Sequence, residues 1–158
     1  MNRSVTMAAV NYGKVCASAF DSIEKKPIFH FVPGARLYSI GTFGCDLDCG
    51  NCQNAVLARA GEPDVPYVRM TPEEVAQAAL DKRAQGVAFT FNEPSVWIEF
   101  ILDTSRELHR RGLFALINTN GYIEPWAADD LYEAVDVANI DVKGFTDGFY
   151  RSNCGGRL

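Results

Sequence analysis

The sequence lacks any apolar run approaching the roughly 20 residues that cross a bilayer, which predicts a soluble chain. It also lacks an excess of positive charge. With 15 Lys and Arg against 20 Asp and Glu, the net charge is -5 at pH 7. There is thus no broad basic field for nucleic acid or an anionic membrane surface, and a small molecule or a protein is the expected partner. The apolar stretch within residues 1–10, which carries Arg3, stops at Asn11 and is too short for the core of a secretory signal. Export is not expected. Five cysteines are an odd set, and three of them fall within eight positions. That argues against a secreted disulfide framework and for a reduced, metal-handling compartment, with the cytoplasm as the expected location.

What is present is the balance of a folded domain. Hydrophobic residues make up 47% of the 158 positions and charged residues 22%, which predicts a single core. Residues 1–33 read as a lead-in, with a strand-like run at 14–20, a polar stretch at 21–26 and the flanking prolines Pro27 and Pro33. An apolar run at 37–42, bounded by Gly34 and by Gly41 and Gly44, predicts a buried strand opening into a loop. Thr71, Pro72 and Glu74 have the pattern of a capping box before Val75, Ala78 and Ala79, which predicts a helix that Gly86 stops. A second strand is expected at 87–91. A helix then opens at Pro94, places Trp97, Ile101, Thr104 and Leu108 on one face, and ends at Gly112. A third strand at 113–118, a loop at 119–124, a helix at 125–135 and a fourth strand at 137–142 complete the alternation.

Helices between successive strands supply the crossovers that parallel pairing requires. The predicted class is therefore α/β, a parallel sheet covered by helices, with its chemistry at the carboxyl ends of the strands. The fourth strand is left with an unpaired edge, so the sequence is expected to be a piece of a longer protein.

Cys45-Asp-Leu-Asp-Cys49-Gly-Asn-Cys52 is a C-x3-C-x2-C triplet in the loop after the 37–42 strand. Three thiolates suit an iron–sulfur cubane with one iron left open to a substrate or cofactor, whereas structural zinc usually closes its shell with four ligands. The competing reading is a zinc or redox cluster completed by His30, Cys16 or Cys154. Taken alone, Glu93 reads as a solvated carboxylate at a helix start, Asp141 and Lys143 as a strand-end ion pair, and Asn120-Gly121 as a turn dipeptide. His30, between Phe29 and Phe31, reads as a packed or hydrogen-bonded residue. His109, beside Arg110 and Arg111, complements a helix dipole. Cys16 and Cys154 read as core thiols, neither having a second cysteine at redox-motif spacing.

The triplet resembles the signature of the radical S-adenosylmethionine (SAM) superfamily. That resemblance implies an incomplete (β/α)6 partial TIM barrel over residues 34–158, truncated at the carboxyl end, and a 4Fe–4S cluster held by Cys45, Cys49 and Cys52. In the superfamily the open iron chelates the amino and carboxylate groups of SAM. One electron then cleaves a carbon–sulfur bond, leaving methionine and a 5'-deoxyadenosyl radical that abstracts hydrogen from a substrate. Asn51 stands where an aromatic residue usually packs against the cluster and adenine. The segment Phe89-Thr-Phe-Asn-Glu-Pro94 resembles the Gly-Gly-Glu-Pro site that receives the SAM ammonium, with Glu93 as the acceptor and Phe91 and Asn92 in place of the glycines.

Asn118-Thr119-Asn120-Gly121 and Asn139-Ile-Asp141-Val-Lys143-Gly144 resemble segments of glycyl-radical activating enzymes that lie beside the ribose and methionine carboxylate and hold a monovalent cation. The resemblance implies cofactor contacts for Asn118, Thr119, Asp141 and Lys143. Asn118 replaces the usual aspartate and offers a neutral oxygen, which weakens any cation site. Tyr12-Gly-Lys-Val15, the stretch Ile23 to Gly34, Cys52-Gln-Asn54 and Cys154-Gly-Gly-Arg-Leu158 extend the likeness to the AmmeMemoRadiSam-system radical enzymes, related to pyruvate formate-lyase activating enzyme. The resemblance implies a cytoplasmic oxidoreductase of activating-enzyme type, with a reductant such as flavodoxin or ferredoxin and a protein substrate. The rival readings are a non-enzymatic iron–sulfur or zinc protein and an inactive fragment.

Overall fold

The computed structural model describes residues 9–62 and 64–158, so the stretch read for export lies almost wholly outside the described residues. Seven strands form: β1 (Lys14–Val15), β2 (Ala17–Ser22), β3 (Arg36–Gly41), β4 (Val68–Arg69), β5 (Gly86–Phe89), β6 (Phe114–Thr119) and β7 (Val137–Ile140). The helices are α1 (Ala55–Ala58), α2 (Pro72–Asp81), α3 (Ile98–Arg110), α4 (Pro125–Ala134) and the single turn α5 (Asp147–Phe149), which runs into a π-helical turn at Tyr150–Cys154. The main sheet has the order β2-β3-β5-β6-β7. Strands β3, β5, β6 and β7 are parallel, as the alternation predicts, with α2, α3 and α4 in the crossovers.

Several details differ from the sequence reading. The run at 14–20 divides at Cys16: β1 pairs with β4 in a two-stranded ribbon, while β2 joins the main sheet antiparallel to β3. The strand also continues to Ser22 through residues read as polar. Asp21 there is inward, where it pairs with Lys26 at 3.2 Å and accepts a hydrogen bond from Ser39 Oγ at 3.0 Å. A buried charge that is paired and hydrogen-bonded can sit in a strand that composition alone would not call. Gly86 does not stop a helix. Helix α2 has already ended at Asp81, and Gly86 begins β5, where an added Cβ would lie 2.5 Å from the Phe114 ring. Pro94–Trp97 is a 3-10 turn before α3, and the fourth parallel strand ends at Ile140, leaving Asp141 and Lys143 in the loop beyond it. His30 is exposed and packs in no core.

Alternation along the strands sorts side chains to two apolar faces, as expected of buried parallel strands. Tyr38, Ile40, Val87, Phe89, Ala115 and Ile117 point to the helices, against Val75, Phe100, Ile101, Leu108 and Leu131. Leu37, Ala88 and Leu116 point the other way, where Ile23, Ile28 and Ala35 cover them. The capping box forms as predicted: Thr71 Oγ1 accepts from Glu74 N at 3.3 Å, and Thr71 N donates to Glu74 Oε2 at 2.8 Å.

Gly41 ends β3 immediately before the cysteine loop, and a Cβ there would lie 2.4 Å from the Thr90 carbonyl oxygen and 3.1 Å from Asn92 Oδ1. Backbone cannot yield as a flexible side-chain tip can. Gly41→Ala is expected to cost about 1–3 kcal/mol, the usual penalty of overpacking, read as a lower urea midpoint at unchanged slope. An unchanged midpoint would show that this contact does not constrain the strand ends.

Candidate active site

The carboxyl ends of the parallel strands open on one cavity of about 330 Å³. Strand β3 leads through Thr42 and Gly44 into the cysteine loop, β5 leads to Asn92 and Glu93, β6 ends at Asn118 and Thr119, and β7 leads to Asp141 and Lys143. All nine residues singled out from the sequence line this cavity: Cys45, Cys49, Asn51, Cys52, Glu93, Asn118, Thr119, Asp141 and Lys143. Parallel packing explains the convergence, because successive strands deliver their C-terminal loops to the same end of the sheet.

Glu93 is 4% exposed, not the solvated carboxylate that its sequence context alone would give. Its Oε1 accepts from Thr119 Oγ1 at 2.6 Å and from Ser95 N at 2.9 Å, and its Oε2 accepts from Asn120 N at 2.8 Å. One side chain thus ties the end of β5 to the end of β6. Burial pushes its carboxyl above the ordinary range, opposed by these three hydrogen bonds, with the Asp46 charge adding to the rise. Asn92 makes a second tie, accepting from Thr42 N at 3.0 Å and donating to the Gly44 carbonyl at 2.9 Å. Phe91 before it has φ +75°, a conformation that favours glycine and that costs a bulky residue strain.

The cysteine loop is held from several sides. Gly44 N donates to the Leu57 carbonyl at 2.9 Å, and Arg59 Nη2 donates to the Cys49 carbonyl at 3.1 Å. Asp46 accepts from Asn120 Nδ2 at 2.7 Å and from Ser95 Oγ at 3.4 Å. The three thiols are each partly exposed. Cys45 accepts from Leu47 N at 3.4 Å; burial pushes its thiol up to about 11, with the charges of Asp46 and Glu93 acting in the same direction. Cys49 is also pushed up to about 11, first by burial and then by the neighbouring Cys154 thiol, while Lys143 acts the other way.

Residues 39–157 match the Radical SAM superfamily, well over half of the chain. This chain belongs to the radical SAM superfamily. It is 42% identical over 153 residues to the uncharacterized protein MJ0808 of Methanocaldococcus jannaschii, covering 97% of this chain and 45% of that protein. It is 27% identical over 136 residues to a 7-carboxy-7-deazaguanine synthase of Methanospirillum hungatei, covering 86% of this chain and 53% of that one. The chain thus spans about half the length of the curated relatives it matches. Among solved structures, QueE from Escherichia coli superposes with a TM-score of 0.56 at 16% identity, over 71% of this chain and 54% of that one. At that identity the likeness concerns the fold, and it agrees with a partial radical SAM barrel.

Radical SAM proteins use a 4Fe–4S cluster and SAM, and the residues around the cavity fit both. Cys45, Cys49 and Cys52 all line the cavity, and a cubane takes each thiolate on a different iron. The N–H of Leu47 directed at Cys45 is the kind of outer contact that supports a metal-bound sulfur. Asn118 Oδ1 is buried without a donor among the described residues, open to a hydroxyl or a cation. Lys143 pairs with Asp141 at 3.4 Å, so the ion pair foreseen between them exists, and it forms part of the cavity wall.

The sequence reading passed over Asn92, Asn120, Asp46 and Arg59 as parts of the site. Asn92 stands in the sequence as a departure from a glycine motif, and Asn120 as half of a turn dipeptide within the Asn118–Gly121 segment. Their amides act across strands, and no local spacing encodes that.

Proposed function

We propose that the chain is the cluster-bearing part of a radical SAM enzyme, with Cys45, Cys49 and Cys52 as the cluster ligands and SAM in the adjoining cavity. The observation that carries this is the placement of the three thiols and the buried Glu93 carboxylate on one cavity at the strand ends. When bound, the cluster and SAM supply the electron and the 5'-deoxyadenosyl radical that abstracts hydrogen from a substrate. The chain's own residues position and select. Glu93 presents negative charge to the SAM ammonium, Asn118 and Thr119 offer oxygens on the ribose side, and Asp141 and Lys143 offer polar contacts on the ribose and carboxylate side. Asn51 contributes backbone and amide groups beside Cys52. The neutral Asn118 oxygen makes a monovalent cation, if bound, a weakly held one.

The test is anaerobic reconstitution with iron and sulfide, reduction with dithionite, and chromatography for 5'-deoxyadenosine. Its formation from SAM is the expected result. A cluster signal that SAM does not perturb would overturn the reading and favour an electron-transfer protein.

Glu93 sets a pH dependence for SAM binding. Its raised carboxyl protonates at a higher pH than an ordinary one, and the neutral form no longer attracts an ammonium. SAM affinity should therefore strengthen as pH rises from the ordinary carboxylate range through the raised value, with protons released on binding. Calorimetry in two buffers of different ionisation heat reads that release. Equal heats in both buffers would remove Glu93 from this role.

For the substrate we favour a protein, on the resemblance to activating enzymes. A second reading, a small heterocycle, is favoured by the likeness to a 7-carboxy-7-deazaguanine synthase. Deuterium transferred to 5'-deoxyadenosine from the large or the small fraction of a size-separated deuterated extract distinguishes them.

A further inference from the structure

Cys154 lies about a hundred positions from the cysteine loop, yet the fold seats it directly against that loop. Asp48 N donates to the Cys154 carbonyl and Gly50 N to the Asn153 carbonyl, both at 2.8 Å. These two bonds flank Cys49. Asn153 Nδ2 adds a third at 3.2 Å to Asn51 Oδ1, so the turn Tyr150–Cys154 is stitched along the loop. Cys49 is thus held between two backbone hydrogen bonds to the Asn153–Cys154 segment.

The side chains meet as well. Cys154 is 0% exposed and packs with Leu47 and Tyr150; Cys45 and Cys49 both lie against that cluster, and it is Cys49 that the backbone bonds to residues 153 and 154 flank. The two thiols also differ in access. Cys49 is partly exposed and lines the cavity, while Cys154 is sealed behind it.

We propose that Cys49 and Cys154 form an intramolecular disulfide in the cluster-free protein, a reversible lock that withholds Cys49 from cluster assembly until the chain is reduced. A low-molecular-weight disulfide such as oxidised glutathione is the oxidant. The Cys49 thiolate attacks one of its sulfurs, expelling one thiol and leaving a mixed disulfide; the Cys154 thiolate then attacks Cys49 sulfur and expels the second. Two protein thiols lose two protons and two electrons, and the small disulfide gains them as two thiols. The accessible sulfur reacts first and the buried one resolves it, which spares Cys49 from irreversible oxidation. The lock's consequence for assembly rests on Cys49 being a cluster ligand, but formation of the disulfide does not.

The experiment takes the reduced, metal-free 158-residue chain, exposes it anaerobically to oxidised glutathione, and maps it by trypsin and tandem mass spectrometry. Cleavage after Arg36, Arg59 and Arg151 puts Cys45, Cys49 and Cys52 on one peptide and Cys154 on another. The expected result is a cross-link between the two, assigned by fragmentation to Cys49, with titratable thiols falling from five to three. Iron incorporation should then be lost and should return with dithiothreitol. Cys154→Ser should retain it after the same oxidation. A Cys49–Cys52 link within one peptide, a link to Cys45 or Cys52, or stable mixed disulfides with glutathione would overturn the proposal. If the cross-link forms but iron incorporation is unaffected, the lock fails and the assignment of Cys49 as a ligand fails with it, while a missing cross-link leaves that assignment standing.

Discussion

Cys45→Ala, reconstituted anaerobically beside the parent chain, is expected to lose the visible absorption of the cluster and to form no measurable 5'-deoxyadenosine. The loss should exceed the roughly 10–100-fold that follows removal of an outer-sphere partner of a metal site, because a direct ligand is removed and two thiolates remain where three are needed. Cys45 is the informative choice. Its sulfur receives the Leu47 N–H and lies beside Asp46 and Asn120, so it sits between the cysteine loop and the end of β6. Cys16, which lines no part of the cavity, is the control, and Cys16→Ala should leave both signals intact. Full cluster content in Cys45→Ala would assign the metal to other sulfurs and end the proposal.

The second large effect is on stability. Glu93→Ala strands three donors at once, the buried Thr119 hydroxyl and the part-buried Ser95 and Asn120 N–H groups. An unpaired buried donor costs about 1–3 kcal/mol, in full for Thr119 and less for the two donors that water can reach, so a loss of about 2 kcal/mol or more is expected, read as a lower urea midpoint. Glu93→Gln keeps the volume but replaces one acceptor oxygen with a donor, and should lose less. The pair of variants separates two roles. Weaker SAM binding by the Gln variant at near-native stability marks the charge as the binding element. A native midpoint for the Ala variant would show that Glu93 does not tie β5 to β6.

Much of this architecture was readable in advance because the signals are local. The Thr71-Pro72-Glu74 cap, the apolar runs of β3, β5 and β6, and the helical faces of α2 and α3 depend on residues a few positions apart, and they fall where predicted. The misread elements depend on partners far away in sequence. Strand β2 carries Asp21, whose burial is tolerated because Lys26 and Ser39 satisfy it. Gly86 is set by the Phe114 ring packed over it, not by the helix before it.

The same division runs through the site. Taken by itself, the sequence determined the chemistry on offer: three thiols at C-x3-C-x2-C spacing, a carboxylate after one strand, and amides and an Asp-Val-Lys segment after two others. Side-chain types and short spacings are properties of the chain itself, present before it folds. Tertiary structure alone decided that these groups line one cavity, that Glu93 is buried and triply hydrogen-bonded, and that Cys154 backs onto Cys49. The physical reason is that parallel pairing and the stitched turn Tyr150–Cys154 bring together residues separated by tens of positions, and it is burial among those neighbours that sets how each group behaves.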